Sequence, residues 1–169
     1  LQQALGFSSN KPLSMVEAEQ DALPPVPFEA NKYETLRSME ALEQWICQIN
    51  ERGYVAVDTE TTALDEMCAE LVGISICVQA GEACYIPLTH KVAGVDDLLG
   101  STELAEEQLP LKDVLRALKP VLENPAVLKI GQNMKYDAKI FARYGIMVAP
   151  IDDTMLISYA LHGGLHGHG

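Results

Sequence analysis

The segment Tyr54-Val-Ala-Val-Asp58-Thr-Glu60-Thr-Thr62 is predicted to be an apolar strand that ends in two acids. Successive side chains of a strand point to opposite faces, so Asp58 and Glu60 are predicted to share one face. Two carboxylates at so short a distance repel each other unless a cation lies between them, and Mg²⁺ prefers oxygen ligands of this kind. The pattern therefore indicates a metal site. The alternative is a solvated strand end with two unrelated acids.

A second acid follows a later strand, in the segment Lys129-Ile-Gly-Gln-Asn133-Met-Lys-Tyr-Asp137. Asn133 and Asp137 are four residues apart where a helix is predicted to begin, and they therefore share one face of it. If this strand neighbours the first one, Asp137 is directed to the sheet edge that carries the other two acids. The alternative interpretation makes Asn133 a helix cap and Asp137 a first-turn acid that the helix dipole favours.

The net charge of the chain indicates how it could bind phosphate groups. Twelve basic residues against 24 acidic ones give a net charge of −12. This is the wrong sign for a protein that holds nucleic acid by neutralising phosphates with Lys and Arg. Three carboxylates that converge at one sheet edge suit two-metal phosphoryl chemistry, in which ions roughly 3.5–4 Å apart activate a water and stabilise the leaving oxygen. A site of that kind binds phosphate through cations and must itself be acidic.

The hydrophobic pattern predicts an α/β domain in the element order αβββαβαα, with a mixed central sheet flanked by helices. Residues 1–30 contain Pro24, Pro25 and Pro27 with little periodicity, and are predicted to be an interdomain linker before a domain at 31–169. The predicted helices run from Ser38 to about Asn50, from Pro110 with Pro120 bending or ending it, from Asn133 to Tyr144, and onward from an Asp153 cap; the predicted strands are 54–58, 71–78, 83–88 and 127–130.

Composition also bears on the compartment. No apolar run approaches the roughly 18 residues that a membrane span needs. The four cysteines have no metal-type spacing, although Cys77 and Cys84 could face each other across a hairpin. Nothing indicates secretion, so we interpret all four as thiols and expect a cytoplasmic protein.

These motifs carry a family resemblance. Val57–Asp65 resembles the first exonuclease motif of the DEDD superfamily, whose members have an RNase H-like fold, and Gly131–Asp137 resembles the second. The segments Ala69–Ile76, Ala83–His90 and Asp153–Tyr159 are similar to the proofreading 3′→5′ exonuclease domain of bacterial DNA polymerase I. The resemblance covers about residues 30–169, and the order and spacing of the motifs make it specific.

The resemblance implies a role for each matching residue. Asp58 would bridge two divalent cations (Mg²⁺, or Mn²⁺ or Zn²⁺), Glu60 would hold the one that activates water, and Asp137 would support the second. Thr61 and Leu64 would contact the 3′-terminal nucleotide, Leu64 as a wedge against a base, unless Leu64 only packs its own loop. The complete set of substrate-binding residues that the resemblance implies is Thr59, Thr61, Leu64, Gln132, Asn133 and Tyr136.

The family pattern includes a third motif, Tyr-x-x-x-Asp, that supplies a fourth carboxylate and a tyrosine. The last tyrosine here is Tyr159, and Gly163 stands four residues after it. We therefore expect a fold that is incomplete at its C-terminus, with three of four carboxylates and weak or absent activity for this chain alone.

Other polar and aromatic residues receive simpler interpretations. His162, His166 and His168 are expected to bind metal only adventitiously, because a stable closed site needs more fixed ligands. His90 is interpreted as a loop or core histidine, and Trp45 and Phe141 as core. The basic residues near the second motif either guide a strand or form a solvated face; they are Lys129, Lys135, Lys139 and Arg143.

Three functions remain open from the sequence. The first is a metal-dependent 3′→5′ exonuclease that acts on single-stranded or frayed DNA 3′ ends beside the polymerase domain of its parent chain, with no membrane partner and no obligate oligomer. The second is a non-catalytic spacer of the polymerase, which would be expected to lose the acids. The third is an RNase D-like ribonuclease, against which the linker and hairpin sequences argue.

Overall fold

The computed structural model describes residues 33–92 and 104–163, which form one six-stranded mixed sheet with helices packed against it. The strand order is β1-β4-β3-β2-β5-β6. Strands β2, β3 and β4 are an antiparallel meander, whereas β1 joins β4, β5 joins β2 and β6 joins β5, each in parallel. The elements are β1 (Tyr33–Thr35), α1 (Met39–Arg52), β2 (Tyr54–Thr61), β3 (Leu71–Gln79), β4 (Glu82–Pro87), α2 (Leu111–Leu122), β5 (Leu128–Gly131), α3 (Met134–Arg143), β6 (Ile151–Asp153) and α4 (Thr154–His162).

The predicted elements are all present. Helix α1 begins after Ser38, whose hydroxyl accepts a hydrogen bond from the Ala41 amide, and ends at Gly53, whose φ of 74° lies in the left-handed region that favours glycine. The mixed sheet with flanking helices is confirmed, and strands β2 and β5 are neighbours, as the sequence argument required. The four cysteines are free thiols.

The sequence prediction was wrong or incomplete in three places. It missed β1 and β6, because three residues are too few to show a period of two. It ended β2 at Asp58, whereas pairing with β3 continues to Thr61 because the polar residues there still have a strand partner. Pro120 lies inside α2 and does not end it. The predicted linker at residues 1–30 lies outside the described residues, as do His166 and His168.

The hydrophobic core packs the sheet against buried side chains of helices α1, α2 and α3. Trp45 and Phe141 are both buried in it, which confirms their interpretation as core residues. By contrast, α4 has no buried residue among those described, and its apolar side chains Leu156, Ile157 and Tyr159 are exposed. No helix in the described ranges is both long and apolar enough to cross a membrane.

A lysine side chain is buried in the core region. Lys129 of β5 has a relative exposure of 0%. Its ammonium donates to the carbonyls of Asn124 at 3.0 Å, Val127 at 2.7 Å and Ala149 at 2.5 Å. Burial lowers its pKa. Lys129 is therefore not part of a basic surface near the second motif, and it ties the start of β5 to the segment that leads into β6.

Replacing Lys129 with methionine should destabilise the domain, because three carbonyl groups lose their donor while the apolar stem is kept. Leaving buried polar groups unpaired costs about 1–3 kcal/mol each where water cannot enter, so we expect a loss of about 3 kcal/mol in the free energy of unfolding. Urea unfolding measures it. Lys135→Met, at an exposed position, is the matched control and should change stability by less than about 0.5 kcal/mol. Equal stability of the two variants would contradict this account.

Candidate active site

The site forms where β2 continues past the end of its neighbour. Strand β2 pairs with β5 only from Tyr54 to Ala56, but with β3 as far as Thr61. Asp58 and Glu60 are exposed on one face, and Thr59 between them is buried. The end of β2 therefore has a free edge on the side where β5 stops.

Asp137 occupies that free edge. It lies in the first turn of α3 and has a relative exposure of 3%. Its Oδ1 accepts hydrogen bonds from the backbone N–H of Thr59 at 2.9 Å and from the Thr59 hydroxyl at 2.5 Å. A carboxylate from a helix thus takes the place of the missing strand partner, and it brings the second-motif acid directly beside the first motif.

The environment of Asp137 favours its neutral form. Burial raises its pKa above the ordinary value, the two bonds from Thr59 oppose that change, and the nearby charge of Asp58 raises it again. A carboxyl group that is buried beside a second acid is stabilised in its charged form by a cation. The electrostatics of this pair therefore favour a bound positive charge.

The start of α3 depends on an acid from outside the helix. Asp153 accepts from the backbone N–H groups of Asn133 and Met134 at 3.0 Å each, and also caps α4 by accepting from Met155 and Leu156. Asn133 has a left-handed backbone with a φ of 55° and makes no side-chain cap. Asn133 thus occupies the N-cap position, as the alternative interpretation had it, but its side chain does not cap the helix and is exposed to a ligand.

A single groove of about 580 Å³ is lined by every residue that the sequence singled out for the site. Thr62 and Ala63 complete its wall. A neighbouring groove of about 650 Å³ shares three of its residues and extends over β2, β3 and β4. The site residues that line the first groove are Asp58, Thr59, Glu60, Thr61, Leu64, Gln132, Asn133, Tyr136 and Asp137.

Two of the predicted substrate-binding residues are engaged with the loop that carries Leu64. The Tyr136 hydroxyl donates to the Ala63 carbonyl at 2.6 Å and lies 2.6 Å from the Thr61 hydroxyl. Leu64 itself is 96% exposed, so it does not pack its own loop. The alternative of simple loop packing for Leu64 is therefore wrong, and Thr61 and Tyr136 hold the loop that presents it.

Two basic side chains of α3 hold the other side of the loop that carries Leu64. Lys139 forms an ion pair with Glu66, whose pKa is lowered by that hydrogen bond. Arg143 donates to the carbonyls of Glu66, at 3.0 Å, and Ala69. These cations serve the loop, so they do not form a free basic stripe. Sequence spacing carried no signal for these contacts, since the partners are more than 70 residues apart.

The carboxylate groups of the site are the type of ligand that a hard divalent cation prefers, but their spacing matches a metal site less well. Asp58 and Glu60 present two accessible carboxylates, and Asp137 adds a third that the positive charge of an ion would stabilise. Within residues 33–92 and 104–163, however, no three His, Cys, Asp or Glu side chains are gathered closely enough to hold a metal ion. Oδ1 of Asp137 accepts both hydrogen bonds from Thr59, so Oδ2 is the oxygen that these bonds leave to an ion.

The chain matches a known family over most of its length. The family model for the exonuclease of A-type DNA polymerases, described as 3′-5′ exonuclease, matches residues 33–168. Among curated proteins, DNA polymerase I of Rhizobium leguminosarum is 44% identical over 94% of this chain, and DNA polymerase I of Pseudomonas aeruginosa is 38% identical over 86%. The chain spans only 16% and 15% of these two relatives.

Solved structures support the fold. Brucella melitensis NrnC matches with a TM-score of 0.54 at 19% identity, covering 82% of this chain and 55% of that one. Escherichia coli RNase D, described as an exoribonuclease involved in structured RNA processing, matches with a TM-score of 0.54 at 18% identity, covering 80% of this chain and 31% of that one. At such identities the likeness concerns the fold, which is RNase H-like as the sequence resemblance implied. Taken with the family match, it means that the chain belongs to the 3′-5′ exonuclease family found in DNA polymerase I.

Proposed function

We propose that the chain forms the site of a proofreading 3′→5′ exonuclease within a DNA polymerase I, which removes terminal nucleotides from a DNA 3′ end with the help of two divalent cations. The observation that carries this proposal is the single groove lined by all nine candidate residues, which include three acids and an exposed Leu64. The acids suit phosphate chemistry, and the exposed leucine suits contact with a nucleobase.

The reaction is hydrolysis of the terminal phosphodiester. Water attacks phosphorus, the bond from phosphorus to the 3′ oxygen of the penultimate nucleotide breaks, and that oxygen takes a proton, releasing a 5′-mononucleotide. Asp58, Glu60 and Asp137 would hold the cations, which, when bound, lower the pKa of the attacking water and neutralise charge on the phosphate. Thr59 orients Asp137 through its two hydrogen bonds.

The remaining groove residues would position the strand. Asn133 and Gln132 are exposed at the end of β5 and offer amide donors and acceptors. Leu64 would contact the terminal base, with Thr61 and Tyr136 fixing its loop. The other proposed partner is the polymerase domain of the same parent chain. The cytoplasmic location, the monomeric state and the weak activity of the isolated chain remain predictions.

Asp58→Asn in the parent polymerase should lower the rate of degradation of labelled single-stranded DNA in Mg²⁺ by at least about a hundredfold, because the amide keeps the shape but loses the charge that holds a cation. Polymerase activity should be unchanged. Asp152→Asn, at an exposed acid outside the groove, is the matched control and should keep the full rate. A full exonuclease rate in Asp58→Asn would overturn the proposal.

The same assay distinguishes the nucleic acid that is cleaved. Labelled RNA and DNA of one sequence should differ, with DNA degraded faster. A preference for RNA would favour the RNase D-like alternative, and no metal-dependent degradation of either strand would favour the spacer.

The raised pKa of Asp137 predicts a pH-dependent effect of metal on stability. The folded chain binds this proton more tightly than the unfolded chain does. The stability that this carboxyl group contributes is therefore full below its ordinary pKa of 3.8 and is lost as the pH rises through the raised folded-state pKa. Above that pH range a bound divalent cation can neutralise the Asp137 carboxylate in place of the proton. Mn²⁺ at about 100 times its Kd should add about 2.7 kcal/mol at about pH 7 and much less at about pH 4.

Thermal unfolding with and without Mn²⁺ measures this effect. Asp137→Asn is the matched variant, because its amide oxygen can still accept from Thr59 while the charge is absent. It should be less sensitive to pH in the absence of metal and should gain less from Mn²⁺ at about pH 7 than the wild-type chain. Equal gains for the two proteins would exclude Asp137 as a cation ligand.

A further inference from the structure

Tyr85 lies on the same face of the sheet as the acids of β2. Asp58 is paired with Ser75 of β3, and Ser75 is paired with Tyr85 of β4, so the three residues form one row across the sheet. Glu60 is paired with Gly73 in the next row. Directly paired residues point to the same face. The Tyr85 side chain therefore belongs to the face that carries Asp58 and Glu60.

The ring of Tyr85 leans toward Glu60 over Gly73. A Cβ atom on Gly73 would lie 2.0 Å from the Tyr85 hydroxyl oxygen, so that oxygen occupies the space of the missing side chain. Paired residues have Cβ positions about 4.5–5.5 Å apart, which places the hydroxyl beside Glu60. Burial raises the pKa of Tyr85, and the negative charge of Glu60 raises it further, as expected for neighbouring groups.

His90 holds the tyrosine hydroxyl from the other side. Its Nε2 lies 2.6 Å from the Tyr85 oxygen, and the two rings meet edge to face with centroids 5.8 Å apart. The backbone of His90 is fixed in turn by Gln108, which accepts from the His90 amide at 2.6 Å and donates to its carbonyl at 3.0 Å. His90 is thus more than the loop or core histidine that the sequence suggested, because it orients a polar group beside an acid of the site.

We propose that Tyr85 and His90 form a positioning pair for Glu60, in which His90 donates from Nε2 to the tyrosine oxygen and the Tyr85 hydroxyl proton is directed toward the Glu60 carboxylate. The negative charge of Glu60 favours this orientation of the hydroxyl dipole over the reverse. The pair restrains the carboxylate in the orientation in which it binds a cation. This inference rests on the proposed function, since it concerns the same acid.

Tyr85→Phe tests the pair, because it removes the hydroxyl and keeps the ring over Gly73. We expect Mn²⁺ binding by the chain, measured by titration calorimetry, to weaken about tenfold, the lower end of the loss that one hydrogen bond to a charged group produces. In the parent polymerase kcat for single-stranded DNA should fall by a similar factor while KM stays within about twofold. Tyr54→Phe, at the exposed start of β2, is the matched control and should bind Mn²⁺ as the wild type does.

His90 variants separate positioning from a structural role. His90→Ala should reproduce the Tyr85→Phe effect, whereas His90→Gln keeps a donor on a side chain of similar reach and should recover at least half of the lost affinity. Wild-type Mn²⁺ affinity and kcat in both Tyr85→Phe and His90→Ala would overturn the inference, as would an equal loss in Tyr54→Phe. Asp58→Asn keeps the two failures distinct: if it too retains Mn²⁺ binding and full activity, the proposed function itself has failed.

Discussion

The two hydrogen bonds from Thr59 to Oδ1 of Asp137 are the constraint on which the rest of the site depends. Strand β2 continues past the end of β5 and leaves a backbone N–H without a strand partner. An unpaired buried N–H is costly, and the Asp137 carboxylate satisfies it. Asp137 is buried there beside Asp58, and this burial raises its pKa against the opposing effect of the two hydrogen bonds, which favours a cation there. The contact between Thr59 and Asp137 thus satisfies the unpaired N–H of β2 and also places a carboxylate where a cation can bind.

Because Asp137 fixes the start of α3 on β2, the helix positions several of the residues that form the groove. Tyr136 precedes Asp137 and holds the Leu64 loop through the Ala63 carbonyl, while Lys139 and Arg143, further along α3, bind the far side of that loop. A single helix therefore contacts both the end of β2, through Asp137, and the loop that carries the exposed Leu64. On the opposite side of Glu60, the pair formed by Tyr85 and His90 limits how the remaining acid can move.

Much of this arrangement was predictable from local pattern. The alternation along 54–60 placed Asp58 and Glu60 on one face, and the capping residues Ser38 and Asp153 marked two helix starts. What local pattern could not predict were contacts between residues far apart in the chain. The dual role of Asp153, the burial of Lys129 and the leaning of Tyr85 over Gly73 depend on which strands become neighbours. The short strands β1 and β6 were missed for the same reason, since they form only where longer strands provide a template.

If the Thr59 hydroxyl orients Asp137 for cation binding, Mn²⁺ calorimetry on Thr59→Val should reveal it. Valine keeps the shape and the backbone N–H but removes the hydroxyl, whereas Thr59→Ser keeps the hydroxyl and serves as the control. Mn²⁺ binding should be about tenfold weaker in Thr59→Val and nearly unchanged in Thr59→Ser, a difference of about 1.4 kcal/mol. Wild-type affinity in Thr59→Val would contradict it.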